Sequence, residues 1–139
     1  MKSRIALIGA FAAVALLAVP ASAQDVSRGK EIYTERCAVC HGPEGKGDGI
    51  VGELFRQKPK DLSLLAKENG GVFPMERVYQ SIDGRARIAA HGESNMPVWG
   101  EFFMVQALDD PRIDPKAARD VVAGRIFAVI QYLESLQAK

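Results

Sequence analysis

The chain has 139 residues, of which 18 are basic and 17 acidic, for a formal charge of +1. That balance excludes a general nucleic-acid binder, which needs a clear basic excess. It also excludes strong long-range steering of partners by net charge, though not local patches.

The N-terminus reads as an export signal. Met1-Lys2-Ser3-Arg4 is a positive start, Ile5 to Val19 is uncharged and apolar, and Ala21-Ser22-Ala23 is an A-x-A site with cleavage expected before Gln24. The apolar run has 15 residues, and a spanning helix needs about 20, so a retained anchor is the weaker reading. Removing residues 1–23 leaves a domain at 24–139 with 16 basic and 17 acidic groups. At 116 residues it is the size of one compact domain. The expected location is the periplasm, with no membrane span in the mature chain.

The pattern predicts a first helix from Val26 to Cys37, capped by Asp25 or Ser27. Val26, Gly29, Ile32, Tyr33 and Arg36 fall near one face, and Gly29 suits close approach by another helix. Gly42 to Gly49 carries four glycines and a proline and predicts a loop. It lacks the preceding strand and the Gly-Lys-Ser/Thr ending of a phosphate-binding loop. Asp61 or Ser63 starts a short helix through Lys67, stopped by Asn69-Gly70-Gly71. Pro74 opens a helix over Met75–Asp83, with Val78, Tyr79 and Ile82 inward and Gly84 at its end. Arg85 to Trp99 reads mostly as loop, and Gly100 to Leu108 as either a short helix or a covering segment. Asp114 and Pro115 begin a last helix running to Gln137. Its stripe is Val122, Ile126, Val129, Leu133 and Leu136, with Gly124 nearby. No strand or repeat is evident, so the fold class is all-α with long loops.

Cys37-Ala38-Val39-Cys40-His41 is a C-x-x-C-H run, the attachment signature of c-type haem. Two thiols one helical turn apart can each add to a vinyl group, and the adjacent imidazole can donate a ring nitrogen to the iron. A Cys37–Cys40 disulfide would close too short a loop to stabilise much. A thioredoxin-like site lacks its α/β surroundings. Zinc held by Cys37, Cys40, His41 and His91 would require an unusual Cys-His adjacency. The second axial ligand must be Met or His. Met96 is the choice, because Pro97 biases it toward an extended backbone that can present its side chain. A neutral thioether also raises the potential of haem iron. Met75 and Met104 read as packing residues, and His91 leaves a bis-His site as the alternative.

With these residues in place, the chain resembles the class I monohaem c-type cytochromes. The matching features are the helix with Gly29 and Tyr33, the run Cys37 to Gly42, the loop Met96-Pro97 and a final helix with Tyr132-Leu133. It also resembles a bacterial subgroup with Ile82-Asp83-Gly84-Arg85 ahead of Met96-Pro97-Val98-Trp99-Gly100. The resemblance implies a cytochrome c-like fold whose first and last helices cross near Gly29 and Tyr132. It implies one haem c held by thioethers from Cys37 and Cys40, with His41 and Met96 on the iron. In many members a glycine-proline pair supplies the carbonyl that orients the histidine. This chain has Gly49-Ile50 there, which leaves the acceptor open, with Pro43 and Pro59 in the wider region. Trp99 and Tyr79 are candidates to line the haem, and Arg85 and Arg87 to pair with its propionates.

The expected function is outer-sphere electron transfer between transiently bound redox partner proteins, with no catalytic residue. One alternative is a dedicated haem subunit of a periplasmic dehydrogenase or oxidase, for which Phe102, Phe103 and Val105 would form the contact patch. Arg56, Lys58 and Lys60 are a second candidate contact, for an acidic partner. A ligand-binding haem protein would need an open axial position. A dihaem peroxidase would need a second attachment motif, which the sequence lacks.

Overall fold

The computed structural model describes residues 21–84 and 96–138. Among these residues the chain is helical, with no strand. Helix α1 spans Ala21–Arg36, α2 Ala38–His41, α3 Met75–Asp83, α4 Trp99–Asp109 and α5 Ala118–Ser135. Short 3-10 turns at Gly52–Leu54, Leu62–Leu64, Lys67–Asn69 and Pro115–Ala117 connect them. None of the described helices is long and apolar enough to cross a membrane.

Helix α1 starts earlier than expected. Ala21 to Gln24 contains no helix breaker, so the helix extends back through it and Asp25 and Ser27 lie inside rather than at the cap. Its inner face packs on α5. A Cβ at Gly29 would strike the carbonyl oxygen of Ala128 and lie 3.0 Å from the Cβ of Tyr132. Gly29 therefore lets two backbones meet, and the crossing near Tyr132 is as anticipated. Gly124 plays no such part, because a Cβ there would meet nothing within 4 Å.

Helix α5 supplies the core. Val122, Ile126, Val129, Ile130 and Leu133 are buried, with Ile126 and Ile130 at 0% exposure. Each such side chain stabilises the fold by roughly 1.5–3 kcal/mol relative to an exposed one. The helix begins after Asp114, whose carboxylate accepts from the Lys116 amide at 2.9 Å, and after Pro115 in the 3-10 turn. It ends at Ser135, two residues before the expected Gln137.

The segment from Gly100 to Leu108 proves to be part of an 11-residue helix, α4. Phe103 and Ala107, one turn apart, face the core. Phe102 and Val105 face outward at 38% and 58% exposure, so the three-residue patch expected here is divided between two faces. Helix α3 spans Met75–Asp83 as anticipated, with Pro74 at its N-cap rather than in its first turn, Val78 and Ile82 buried and Tyr79 partly so. Gly84 closes it at φ 77°, its amide bonding the Gln80 carbonyl. A Cβ at Gly100 would strike the Asp83 carboxylate, which places that buried acid at the first turn of α4, where a helix favours negative charge.

A candidate haem-attachment site

The attachment run is a continuation of α1 with one break. The Cys37 amide still donates to the Tyr33 carbonyl at 2.8 Å. The Cys37 carbonyl then accepts from both Cys40 and His41, at 3.1 and 2.9 Å. This tight turn puts Cys37 at the cap of α2 and Cys40 three positions on within it, with His41 as its last residue. Both cysteines are free thiols and partly buried. Burial, with the Cys40 thiol adding a smaller effect, pushes the Cys37 thiol up to about 12. Among the described residues no cluster of three His, Cys, Asp or Glu side chains could hold a metal by itself.

The glycine loop has a specific structural task. The carbonyls of Val39, Cys40 and His41, left open at the end of α2, accept from the amides of Val51, Gly49 and Gly47, at 2.9, 3.2 and 2.8 Å. The loop folds back along the helix and satisfies its orphan acceptors. Side chains would block this approach. A Cβ at Gly49 would lie 2.5 Å from the Val39 oxygen, and one at Gly52 would strike the Cys40 oxygen. Gly42 accepts the Tyr33 hydroxyl through its carbonyl at 2.7 Å. Burial raises that hydroxyl well above the usual tyrosine range, so it remains a donor.

His41 is partly buried, with Nδ1 3.4 Å from the Lys60 carbonyl oxygen. With the proton assigned to Nδ1, Nε2 keeps its lone pair for a metal. Burial lowers the imidazole pKa, and the Lys60 carbonyl opposes that shift. The open question of the acceptor thus has an answer one residue past Pro59. The Pro59 ring lies against Gly52, and its carbonyl lies where a side chain of Gly47 would be. The Leu62 amide bonds the Gly45 carbonyl at 2.6 Å, and the Lys60 ammonium pairs with Glu68. This strap presents the Lys60 carbonyl to His41.

Met96 is partly buried beside the same core cluster that takes Cys37, Ala38, Trp99 and Met104. It lies three residues before α4. Met104 packs against the core as expected, whereas Met75, read from the sequence as a packing residue, is 43% exposed at the start of α3. Trp99 stacks edge-on to Phe102 at 5.5 Å, and Tyr79 meets Phe127 at 5.2 Å. His91, Arg85 and Arg87 lie outside the described residues. Of the basic loop, Lys58 pairs with Glu53 and Lys60 with Glu68.

The chemistry of this donor set suits a haem c: two free thiols for its vinyl groups, an imidazole nitrogen, and a thioether packed on the apolar core. Sequence reasoning missed the Lys60 carbonyl, the Tyr33 hydroxyl and the amides that close α2. Only Pro59 and the glycine spacing hinted at them.

An all-helical fold carrying C-x-x-C-H on a helix turn defines a c-type cytochrome domain. The chain belongs to the family described as cytochrome c oxidase, cbb3-type, subunit III, whose model matches residues 24–110. It is 26% identical to cytochrome c6 of Rippkaea orientalis over 110 residues, covering 79% of this chain and 85% of that one. It is also 54% identical over 33 residues to thiosulfate dehydrogenase of Stutzerimonas stutzeri, covering 24% of this chain but 11% of that protein. No solved structure matches. The family and the cytochrome c6 relationship make haem-mediated, non-catalytic electron transfer the chemistry of this chain.

Proposed function

We propose that the chain is an exported electron carrier with one haem c. Cys37 and Cys40 form the thioethers, and His41 and Met96 complete the iron's coordination. Residues 1–23 act as the cleaved signal and 24–139 as the cytochrome domain in the periplasm. The observation that carries this reading is the His41 ring, held at the end of the two-cysteine helix with Nδ1 toward the Lys60 carbonyl. The haem supplies one-electron transfer between ferric and ferrous iron. The chain's residues orient the imidazole, bury the donors and limit ligand movement. Donor and acceptor proteins bind transiently.

The test is mass and visible spectroscopy of mature protein made in a haem-attaching host. The expected mass is that of residues 24–139 plus one haem. A sulfur-to-iron charge-transfer band should be present and should vanish in Met96→Ala. High-spin ferric iron in the unmodified protein would overturn Met96 ligation.

A second reading is a dedicated haem subunit of a larger oxidase or dehydrogenase. It is favoured by the outward apolar ridge of Phe102, Val105 and Leu108 on α4, at 38%, 58% and 52% exposure. Purification from the native host separates the two readings, since a stoichiometric partner would exclude the free carrier.

A further inference from the structure

We infer that Tyr33 is a positioning residue for the attachment turn: its hydroxyl holds the segment that aims His41. The inference rests on the proposed ligation by His41.

Two parts of Tyr33 do different work. The ring is 1% exposed and packs on Tyr132, with centroids 5.2 Å apart and planes at 54°. A phenylalanine would fill that space equally well. The hydroxyl reaches past the core to the Gly42 carbonyl, one residue after His41, and donates to it at 2.7 Å.

Gly42 has little freedom to find another arrangement. Its amide bonds Ala38 at 2.8 Å, and its carbonyl also receives the Gly45 amide at 3.2 Å. Its φ is +79°, and the Asp48 carboxylate occupies the direction a side chain would take. The hydroxyl is thus a fixed post against which the turn closes. A buried carbonyl that loses one of its donors is costly, so the turn would have to shift to recover it.

The post stands on the helix crossing. Tyr33 lies one turn beyond Gly29 on α1, and Tyr132 lies one turn beyond Ala128 on α5. Where Gly29 meets Ala128, the depth of the crossing sets the Tyr33–Tyr132 pair and hence the height of the hydroxyl. Docking of α5 is thereby linked to the placement of His41 through one hydrogen bond. An imidazole placed less firmly would bond the Lys60 carbonyl less well and become a weaker donor to ferric iron.

The experiment compares the haem-loaded mature protein with its Tyr33→Phe and Tyr132→Phe variants. Three quantities are measured: amide exchange, midpoint potential and thermal unfolding. Tyr33→Phe should speed exchange at Gly42 and Gly45 at least tenfold and move the potential upward. Tyr132→Phe removes a hydroxyl from the same ring pair and should do neither. Unchanged exchange and potential in Tyr33→Phe would overturn the inference. So would an equal potential shift in Tyr132→Phe, which would assign the effect to ring packing. If the unmodified protein shows no His41 ligation, the ligation reading fails by itself, before any tyrosine variant is compared.

Discussion

Gly29 and Ala128 meet backbone to backbone: a methyl group on the glycine would strike the alanine carbonyl oxygen. Neither partner can withdraw cheaply. Tyr33 and Tyr132 flank the contact, and both are buried. Gly29→Ala should therefore destabilise the protein although it improves helix propensity. Overpacking costs about 1–3 kcal/mol, against a propensity gain of about 1 kcal/mol. The crossing is internal to the fold, so the variant should also reduce the yield of haem-loaded protein. Urea unfolding followed by circular dichroism measures the first effect. A stability equal to that of the parent protein would mean the helices part without penalty.

What the sequence revealed, and what it hid, follows from the kind of interaction. The apolar stripe of α5 and the Pro74 and Gly84 boundaries of α3 are local patterns, and both appear as expected. The expected fold class and the close approach at Gly29 also hold. The Lys60 carbonyl was hidden because a backbone acceptor leaves no mark in the side chains, and it lies 19 residues from His41. The start of α1 was misplaced because Ser, Asp and Ala residues offer several equivalent starts. Helix α4 was ambiguous because its apolar residues face both inward and outward, which blurs the helical period.

The strap that orients His41 can be tested at a distance from the metal ligands. Gly47 sits at φ +77°, with the Pro59 carbonyl where its side chain would be. Gly47→Ala adds backbone strain of about 1–2 kcal/mol in the left-handed region and pushes Pro59 outward. Lys60 follows Pro59, so the Nδ1 contact at 3.4 Å should lengthen. The expected result is a shifted His41 ring resonance together with lowered thermal stability. Lowered stability with an unmoved His41 signal would show that the strap does not carry the carbonyl with it.

Gln137 should matter more than its position near the end of the chain suggests. Its side-chain oxygen accepts from the Ala66 amide at 2.8 Å. Its nitrogen donates to the Leu62 and Leu133 carbonyls, each at 2.8 Å. It thus clips the end of α5 to the segment after the His41 strap. Gln137→Ala would leave partly buried backbone groups without partners, at a cost of about 1–3 kcal/mol. Faster amide exchange at Ala66, with α3 unaffected, is the expected signature. Uniform exchange changes across the protein would indicate global destabilisation instead.

Asp110 and Arg112 form a pH-dependent clasp after α4. The guanidinium donates to the carboxylate at 2.9 and 2.7 Å, and the Arg112 amide adds a third bond at 3.0 Å. The Arg112 side-chain bond is the largest influence and the amide the next, together holding the carboxyl at about 2 instead of the ordinary 3.8. Because the folded value is the lower one, the clasp's contribution is complete above pH 3.8 and is lost as pH falls through about 2. A carbon-detected titration of the Asp110 carboxyl should show this low midpoint. Arg112→Gln should move the midpoint back toward the ordinary range and remove this group's contribution to the pH dependence of stability between those limits. A midpoint near 3.8 in the parent protein would mean that the exposed guanidinium does not hold its place in solution.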